Sequence, residues 1–140
     1  MIYLAQTDTT VGFLSKDFAQ INRAKMRHEN TPCVLTTANL NELKTLARVP
    51  EKFKNLVRRA KKSTFIYPNQ ISLRYVQGCE HAKFLRQFGA MYSSSANLHG
   101  EKFDEEYARD IADIIVDEKF SERAASKIYK ISNFKIKKIR

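Results

Sequence analysis

A mixed α/β (α+β) fold, a twisted mixed sheet with flanking helices, is what three features of this 140-residue chain predict. Short runs rich in apolar and β-branched residues alternate with stretches whose apolar residues recur at helical spacing. The later runs pair up around turn signals such as Pro68-Asn69 and read as hairpins that close a sheet. Four Gly and three Pro are the only strong breaks, with no repeat, low-complexity tract or linker, so residues 1–140 are expected to form a single domain.

In chain order, Ile2 to Ala5 reads as the opening strand, and Thr7 to Gly12 as a polar turn. Ser15 is placed to cap a helix from about Lys16 to Ala24, with Phe18 and Ile21 on its apolar side. Cys33 to Thr37 is a short buried strand, and Asn39 caps a helix carrying Leu40, Leu43 and Leu46. Pro50 suits the first turn of the next helix, where Phe53, Leu56, Val57 and Ala60 share a face. Ser63–Tyr67 and Gln70–Val76 follow as strands. Cys79 to Phe88 is helical, with Ala82, Leu85 and Phe88 inward. Ala90 to Ser94 is a strand that runs into a Ser-rich loop, and Asp104 to Asp110 is a short helix. Strands are expected within Ile111–Val116, Ser126–Ile131 and Phe134–Ile139.

Apolar residues make up 43% of the chain and charged residues 29%, a globular rather than disordered composition. No apolar run is long enough for a membrane helix, and the first residues lack the basic n-region of a signal peptide. A cytoplasmic protein with no membrane partner is expected, its Cys33 and Cys79 reduced. The formal net charge of +10 favours an anionic partner. The charge is also clustered. Lys44 to Lys62 is almost wholly basic, the end of the chain carries Lys130, Lys135, Lys137, Lys138 and Arg140, and an acidic stretch from Asp104 to Glu118 lies between.

Two segments carry chemistry. Lys25-Met26-Arg27 offers a compact cation and a planar fork of donors, and Ser93-Ser94-Ser95-Ala96-Asn97 with Gly100 offers neutral donors. Together they are what a polyphosphate site needs. Singly, each has a plainer reading: a solvated helix C-terminal cap for the first, an ordinary turn for the second, with Asn97 either in left-handed geometry or binding. Thr7-Asp8-Thr9 reads as a cap or Asx-turn as readily as a ligand contact. The histidines have no metal spacing and no metal-binding side chain stands out, while His99 falls in the Ser/Asn loop. Tyr67, Tyr75 and Tyr92 could stack bases on a sheet, or pack within it.

Set in order, these segments resemble the YrdC/TsaC family of threonylcarbamoyl-AMP synthases and their YciO-like relatives. The family pattern T-D-T-x-Y-G, K-x-R, a Pro-containing strand entry, a Thr strand, a strand Arg and S-A-N-x-S-G has collinear counterparts here. They are Thr7-Asp8-Thr9 with Gly12, Lys25-x-Arg27, Pro32, Thr64-Phe65-Ile66, Arg74 and Ser95-Ala96-Asn97 with Gly100. Ser126-Lys127-Ile128 and Ile139-Arg140 match its closing strands. The resemblance implies a YrdC-like sheet around a positively charged concave cavity. It implies ATP bound by Lys25, Arg27, Ser95 and Asn97, with Lys25 and Arg27 as the catalytic pair. It places a threonine pocket at Thr9, Thr31 and Ser93. The implied reaction joins L-threonine, bicarbonate and ATP, with Mg²⁺, into threonylcarbamoyl-AMP and pyrophosphate for tRNA threonylcarbamoyladenosine modification, with threonylcarbamoyl transfer proteins downstream.

The chain departs from the pattern at Val11 for the aromatic after T-D-T, Thr31-Pro32 after K-x-R, and Ala60-Lys61-Lys62 for a P-G-P loop. His99 replaces the second Ser of the S-A-N-x-S-G loop, and Val76 a Pro two after the strand Arg. The phosphate end is thus better retained than the threonine end. Two alternatives stand beside the enzyme: a non-catalytic double-stranded RNA or tRNA-binding module, with Arg58, Arg59, Lys61 and Lys62 as its contacts, and a YciO-like nucleotide-binding paralogue. The enzyme reading expects Lys25→Ala and Arg27→Ala to abolish ATP binding while leaving thermal unfolding nearly unchanged.

Overall fold

The structure, a computed structural model, describes residues 1–140 throughout. Its strands are β1 Tyr3–Gln6, β2 Val11–Ser15, β3 Val34–Thr37, β4 Ser63–Ile66, β5 Ser72–Tyr75, β6 Met91–Ser95, β7 Ile114–Ile115, β8 Lys127–Ile131 and β9 Ile136–Lys138. Its helices are α1 Phe18–Ala24, α2 Leu40–Leu46, α3 Lys54–Arg59, α4 Glu80–Phe88 and α5 Glu105–Ile111, with a 3₁₀ turn at Glu51–Phe53. The predicted mixed α/β class is the one observed. The chain gathers into two compact units, Met1–Cys33 with Met91–Ala124, and Val34–Ala90 with Ala125–Arg140.

In the first unit β1 lies antiparallel to β2 and parallel to β7, and β2 lies antiparallel to β6, so the strands run β7-β1-β2-β6. β2 corrects the sequence reading, which has Thr7–Gly12 as a turn and Ser15 as a helix cap. All five residues of β2 are buried. A strand covered on both faces has no polar alternation to betray it. The turn is only Thr7–Thr10, closed by Thr7 N–H on the Thr10 carbonyl at 3.4 Å and Thr9 N–H on Thr7 Oγ1 at 3.1 Å. Gly12 is needed where it stands, because a Cβ there would lie 2.8 Å from Thr7 Cγ2 and 3.3 Å from Ser93 Oγ. The cap of α1 is Asp17, whose side chain accepts from Ala19 N–H at 2.9 Å, while Ser15 Oγ accepts from Asp17 N–H. Leu4, Phe13, Ile21 and Ala108 form the centre of this unit's core.

In the second unit β3 and β5 are parallel, β5 and β4 antiparallel, β4 and β8 parallel, and β8 and β9 antiparallel, giving the order β3-β5-β4-β8-β9. Asn39 caps α2 as predicted, its Oδ1 accepting from Asn41 and Glu42 N–H groups. Pro50 opens the 3₁₀ turn rather than α3, and its carbonyl accepts from Phe53 N–H. Leu43, Phe53, Val57, Phe65, Leu73 and Ile131 meet in the core. The apolar faces are narrower than predicted: Leu56 and Phe88 are both exposed, Phe88 because α4 ends there, at Gly89 with φ 82°. Tyr67 is a core residue at 1% exposure, Tyr75 packs against the same cluster, and in the first unit Tyr92 meets Phe18 edge to face. None of the three is an open stacking platform.

Charge divides along the same lines. The second unit holds seventeen Lys and Arg against Glu42, Glu51 and Glu80, a formal +14, whereas the first holds eight against twelve acidic residues, a formal −4. No helix is long and apolar enough to cross a membrane.

Candidate functional site

Helix α1 ends in a Schellman motif, and that motif builds the Lys25-x-Arg27 pair. Met26 N–H bonds the Arg23 carbonyl at 3.1 Å and Arg27 N–H bonds the Asn22 carbonyl at 3.0 Å, with Met26 in the left-handed region at φ 54°. Left-handed geometry normally favours Gly or Asn. Here Met26 takes it and is 77% exposed, while Lys25 is 3% exposed. The reversal of the chain at Met26 sends both cations back toward the end of β6, where sequence alone suggested a solvated cap.

Lys25 Nζ donates to the Ser95 carbonyl at 2.6 Å, the Asn97 carbonyl at 2.8 Å and Asn97 Oδ1 at 3.2 Å, with Ser95 Oγ at 3.5 Å. Its three protons are therefore fully used in holding the Ser95–Asn97 turn. Burial, reinforced by the neighbouring Arg27 guanidinium, lowers its pKa from 10.5 to about 8. Arg27 Nε donates to Asn22 Oδ1 at 2.6 Å, and its Nη2 reaches Cys33 Sγ at 3.2 Å and Ser94 Oγ at 3.4 Å. These bonds leave Nη1 outside the network. Burial raises the Cys33 pKa, with Arg27 opposing it.

Asn97 is engaged on both ends: Oδ1 accepts from Lys25, and Nδ2 donates to the Leu98 carbonyl at 2.9 Å and the Glu101 carbonyl at 2.7 Å. The left-handed position in this loop is Gly100, at φ 78°, not Asn97. His99 is exposed and its N–H bonds the Lys25 carbonyl at 3.1 Å. Thr9 and Ser93 are buried, and Thr31 closes the 28–31 turn through its Oγ1 on the His28 carbonyl at 2.7 Å. Arg58, Arg59, Lys61 and Lys62 are all exposed in the second unit.

Asn22 and Tyr107, which sequence reasoning missed, complete the cluster, and Ser94 of the predicted Ser-rich segment takes a specific place in it. Asn22 is fully buried; its Nδ2 donates to the Glu29 and Thr31 carbonyls and its Oδ1 fixes Arg27. Ser94 lies between the predicted Ser93 and Ser95 and is the serine that faces the guanidinium. Tyr107 donates its hydroxyl to the Ala24 carbonyl, tying α5 to the end of α1. Asn22 had one sequence signal, a polar residue beside Ile21 on the inner side of a short amphipathic helix. The cluster thus joins two cations to neutral partners, with the Ser94 hydroxyl bonded to Arg27 and the Ser95 hydroxyl to Lys25. Such a set suits an oxyanion such as a phosphate. No group of three or more His, Cys, Asp or Glu side chains is assembled for a metal.

No family model matches the chain, and no curated protein matches it in sequence. Solved structures match its fold closely. Sua5 of P. abyssi superposes with a TM-score of 0.84 at 17% identity, over 99% of this chain and 52% of that one. The same protein complexed with L-threonine gives 0.82 at 16% identity, over 99% and 49%. E. coli YciO gives 0.78 at 17% identity, over 99% and 82%. HypF in its phosphate- and nucleotide-bound form gives 0.76 at 15% identity, over 99% of this chain and 26% of that one. The chain spans about half the length of the Sua5 structures. It has the fold of Sua5 and YciO, as the resemblance in the sequence predicted.

Proposed function

We propose that this chain is a YrdC-like nucleotide-binding protein of the threonylcarbamoyl-AMP synthase type. ATP phosphates would lie against Arg27, Ser94 and Ser95, with Lys25 and Asn97 holding the loop. The observation that carries this reading is the convergence of Lys25 and Arg27 on residues 94–97, made by the αL turn at Met26. The Sua5 structure complexed with L-threonine and the nucleotide-bound HypF support it through a shared fold. A carbamate formed from the threonine amine and bicarbonate, with loss of water, would attack the α-phosphorus, forming a P–O bond as the bond from that phosphorus to the bridging oxygen breaks and pyrophosphate leaves. Lys25 and Arg27 would oppose the negative charge that develops on the phosphate oxygens. Binding and positioning suffice for this chemistry, and no side-chain nucleophile is required. Mg²⁺ would be carried by the triphosphate. Thr9, Thr31 and Ser93 are the proposed threonine contacts, and a cytoplasmic site of action and delivery of the product to tRNA-modifying proteins follow from the same reading.

Pyrophosphate release from ATP should require both L-threonine and bicarbonate. Arg27→Ala should abolish it, and Ser94→Ala should reduce it. ATP affinity that survives Arg27→Ala would remove the site from consideration.

A second reading is favoured by the formal +14 of the second unit: RNA binding without catalysis, through Arg58, Arg59, Lys61 and Lys62. It expects salt-dependent RNA binding in a chain that releases no pyrophosphate.

A further inference from the structure

The second unit carries an aromatic side chain that its core does not use. Phe134 stands at the tip of the β8–β9 hairpin and is 76% exposed. The tip is a built turn: Ser132 N–H bonds the Lys135 carbonyl at 2.9 Å, and Lys135 N–H bonds Ser132 Oγ at 3.2 Å. Lys52 Nζ then donates to the Phe134 carbonyl at 3.0 Å, which fastens the tip to the 3₁₀ turn Glu51–Phe53. A single exposed Phe is ordinary on a protein surface. The backbone that carries this one is fastened through its carbonyl, and its setting is cationic. The hairpin itself carries Lys130, Lys135, Lys137 and Lys138 with no acidic residue. On either side of Lys52 in the chain, Lys44, Arg48 and Lys54 line a cavity of about 290 Å³ with Ala47, Val49 and Glu51. Glu51 is the one acid there, and it is taken up by Lys54 at 2.7 Å. The cavity is small for a whole ligand but has room for a phosphate group, with Lys44 and Arg48 beside the Lys54–Glu51 pair leaving a formal +2.

We propose that this surface binds an unpaired stretch of a nucleic-acid strand, a base stacking on Phe134 and a backbone phosphate entering the Lys44/Arg48/Lys54 cavity. Stacking on an aromatic needs a base that is free of its partner, so the chemistry favours a single strand over a duplex. The inference deepens the RNA-binding reading by naming the strand type and a contact surface other than Arg58, Arg59, Lys61 and Lys62. It is independent of the ATP site.

The test is fluorescence anisotropy on the full chain, without ATP or threonine, using a twelve-nucleotide oligo-U, the matching oligo-dT, and an RNA duplex of equal length, each over a KCl series. Oligo-U or oligo-dT should bind more tightly than the duplex. Phe134→Ala should weaken single-strand binding about tenfold or more, and Phe134→Trp should restore it. The triple change of Lys44, Arg48 and Lys54 to Ala should lower the salt slope by roughly one, the loss of one phosphate contact. Thermal unfolding confirms that each variant folds; Phe134, being exposed, is the variant least exposed to that concern. A duplex preference, or a Phe134→Ala variant that binds like the parent, overturns the proposal. If instead only the Arg58/Arg59/Lys61/Lys62 variant loses binding, the proposal fails while the broader RNA-binding reading survives.

Discussion

Lys25 joins the site to the stability of the fold. A surface cation could be removed with little effect on unfolding, and the sequence reading of Lys25 assumed as much. In the structure its ammonium satisfies two carbonyls and one amide oxygen in a buried place. Lys25→Ala would strand those acceptors and is expected to cost about 2–3 kcal/mol at pH 7, measured by urea unfolding. The same residue sets a pH signature. Its folded pKa of about 8 lies below the ordinary 10.5 of an unfolded lysine. Between those values the unfolded chain holds a proton that the folded chain has released, so this group makes stability rise with pH across about 8 to 10.5. Cys33 and Tyr67 act in the opposite sense, because burial raises both. Their neutral forms favour folding up to the ordinary thiol and phenol pKa values, and that contribution fades above them. The stability difference between the parent and Lys25→Ala cancels Tyr67 and reports Lys25 together with its charge coupling to Cys33. It should grow by about 3 kcal/mol over the window. A flat difference would mean that the ammonium is not depressed.

At the scale of elements, the strand β2 decides where the T-D-T turn and α1 lie, and its two flanks give separable tests. Gly12→Ala forces a Cβ against Thr7 Cγ2 and Ser93 Oγ, and thermal unfolding should show a loss of about 1–3 kcal/mol. Asp17→Ala removes the cap of α1 and should cost about 1 kcal/mol. If Asp17→Ala were neutral, the helix would start elsewhere. These elements also mark what the sequence could disclose. Caps with a local partner, such as Asn39 and the Pro68-Asn69 turn between β4 and β5, were legible because their signals are a few residues long. Strand β2 was not, because burial on both faces removes the alternation and Gly12 imitates a turn. In the site, Lys25, Arg27 and residues 95–97 were legible as a collinear pattern. Asn22 was not, since it acts only through contacts that a folded chain creates. The left-handed turn at Met26 was hidden for a related reason: a methionine gives no local sign of that geometry, and the network around Lys25 and Arg27 holds it there.

At the scale of the molecule, the uneven charge makes a prediction whose sign is set by two opposing effects. The second unit carries seventeen cations against three acids, and those cations repel one another in the folded state more than in an expanded chain. Its ion pairs include Lys54–Glu51 at 2.7 Å and Lys83–Glu80 at 3.1 Å, whose side chains are all more than half exposed. Pairs of that kind contribute about 0–1 kcal/mol and weaken as salt is added. Screening therefore relieves a repulsion spread over many groups while removing only small attractions. The melting temperature should rise as KCl is raised from about 0.05 to 0.5 M, where the Debye length falls well below 10 Å. Sulfate at equal ionic strength should raise it further, through preferential exclusion and through occupation of cationic cavities such as the one lined by Lys44, Arg48 and Lys54. Replacing those three residues by Ala should reduce the sulfate increment more than the KCl increment, because the first depends on a local site and the second on the field of the whole unit. A melting temperature that falls with KCl would show that the ion pairs outweigh the repulsion. It would also take away the electrostatic ground for a polyanion partner on this unit.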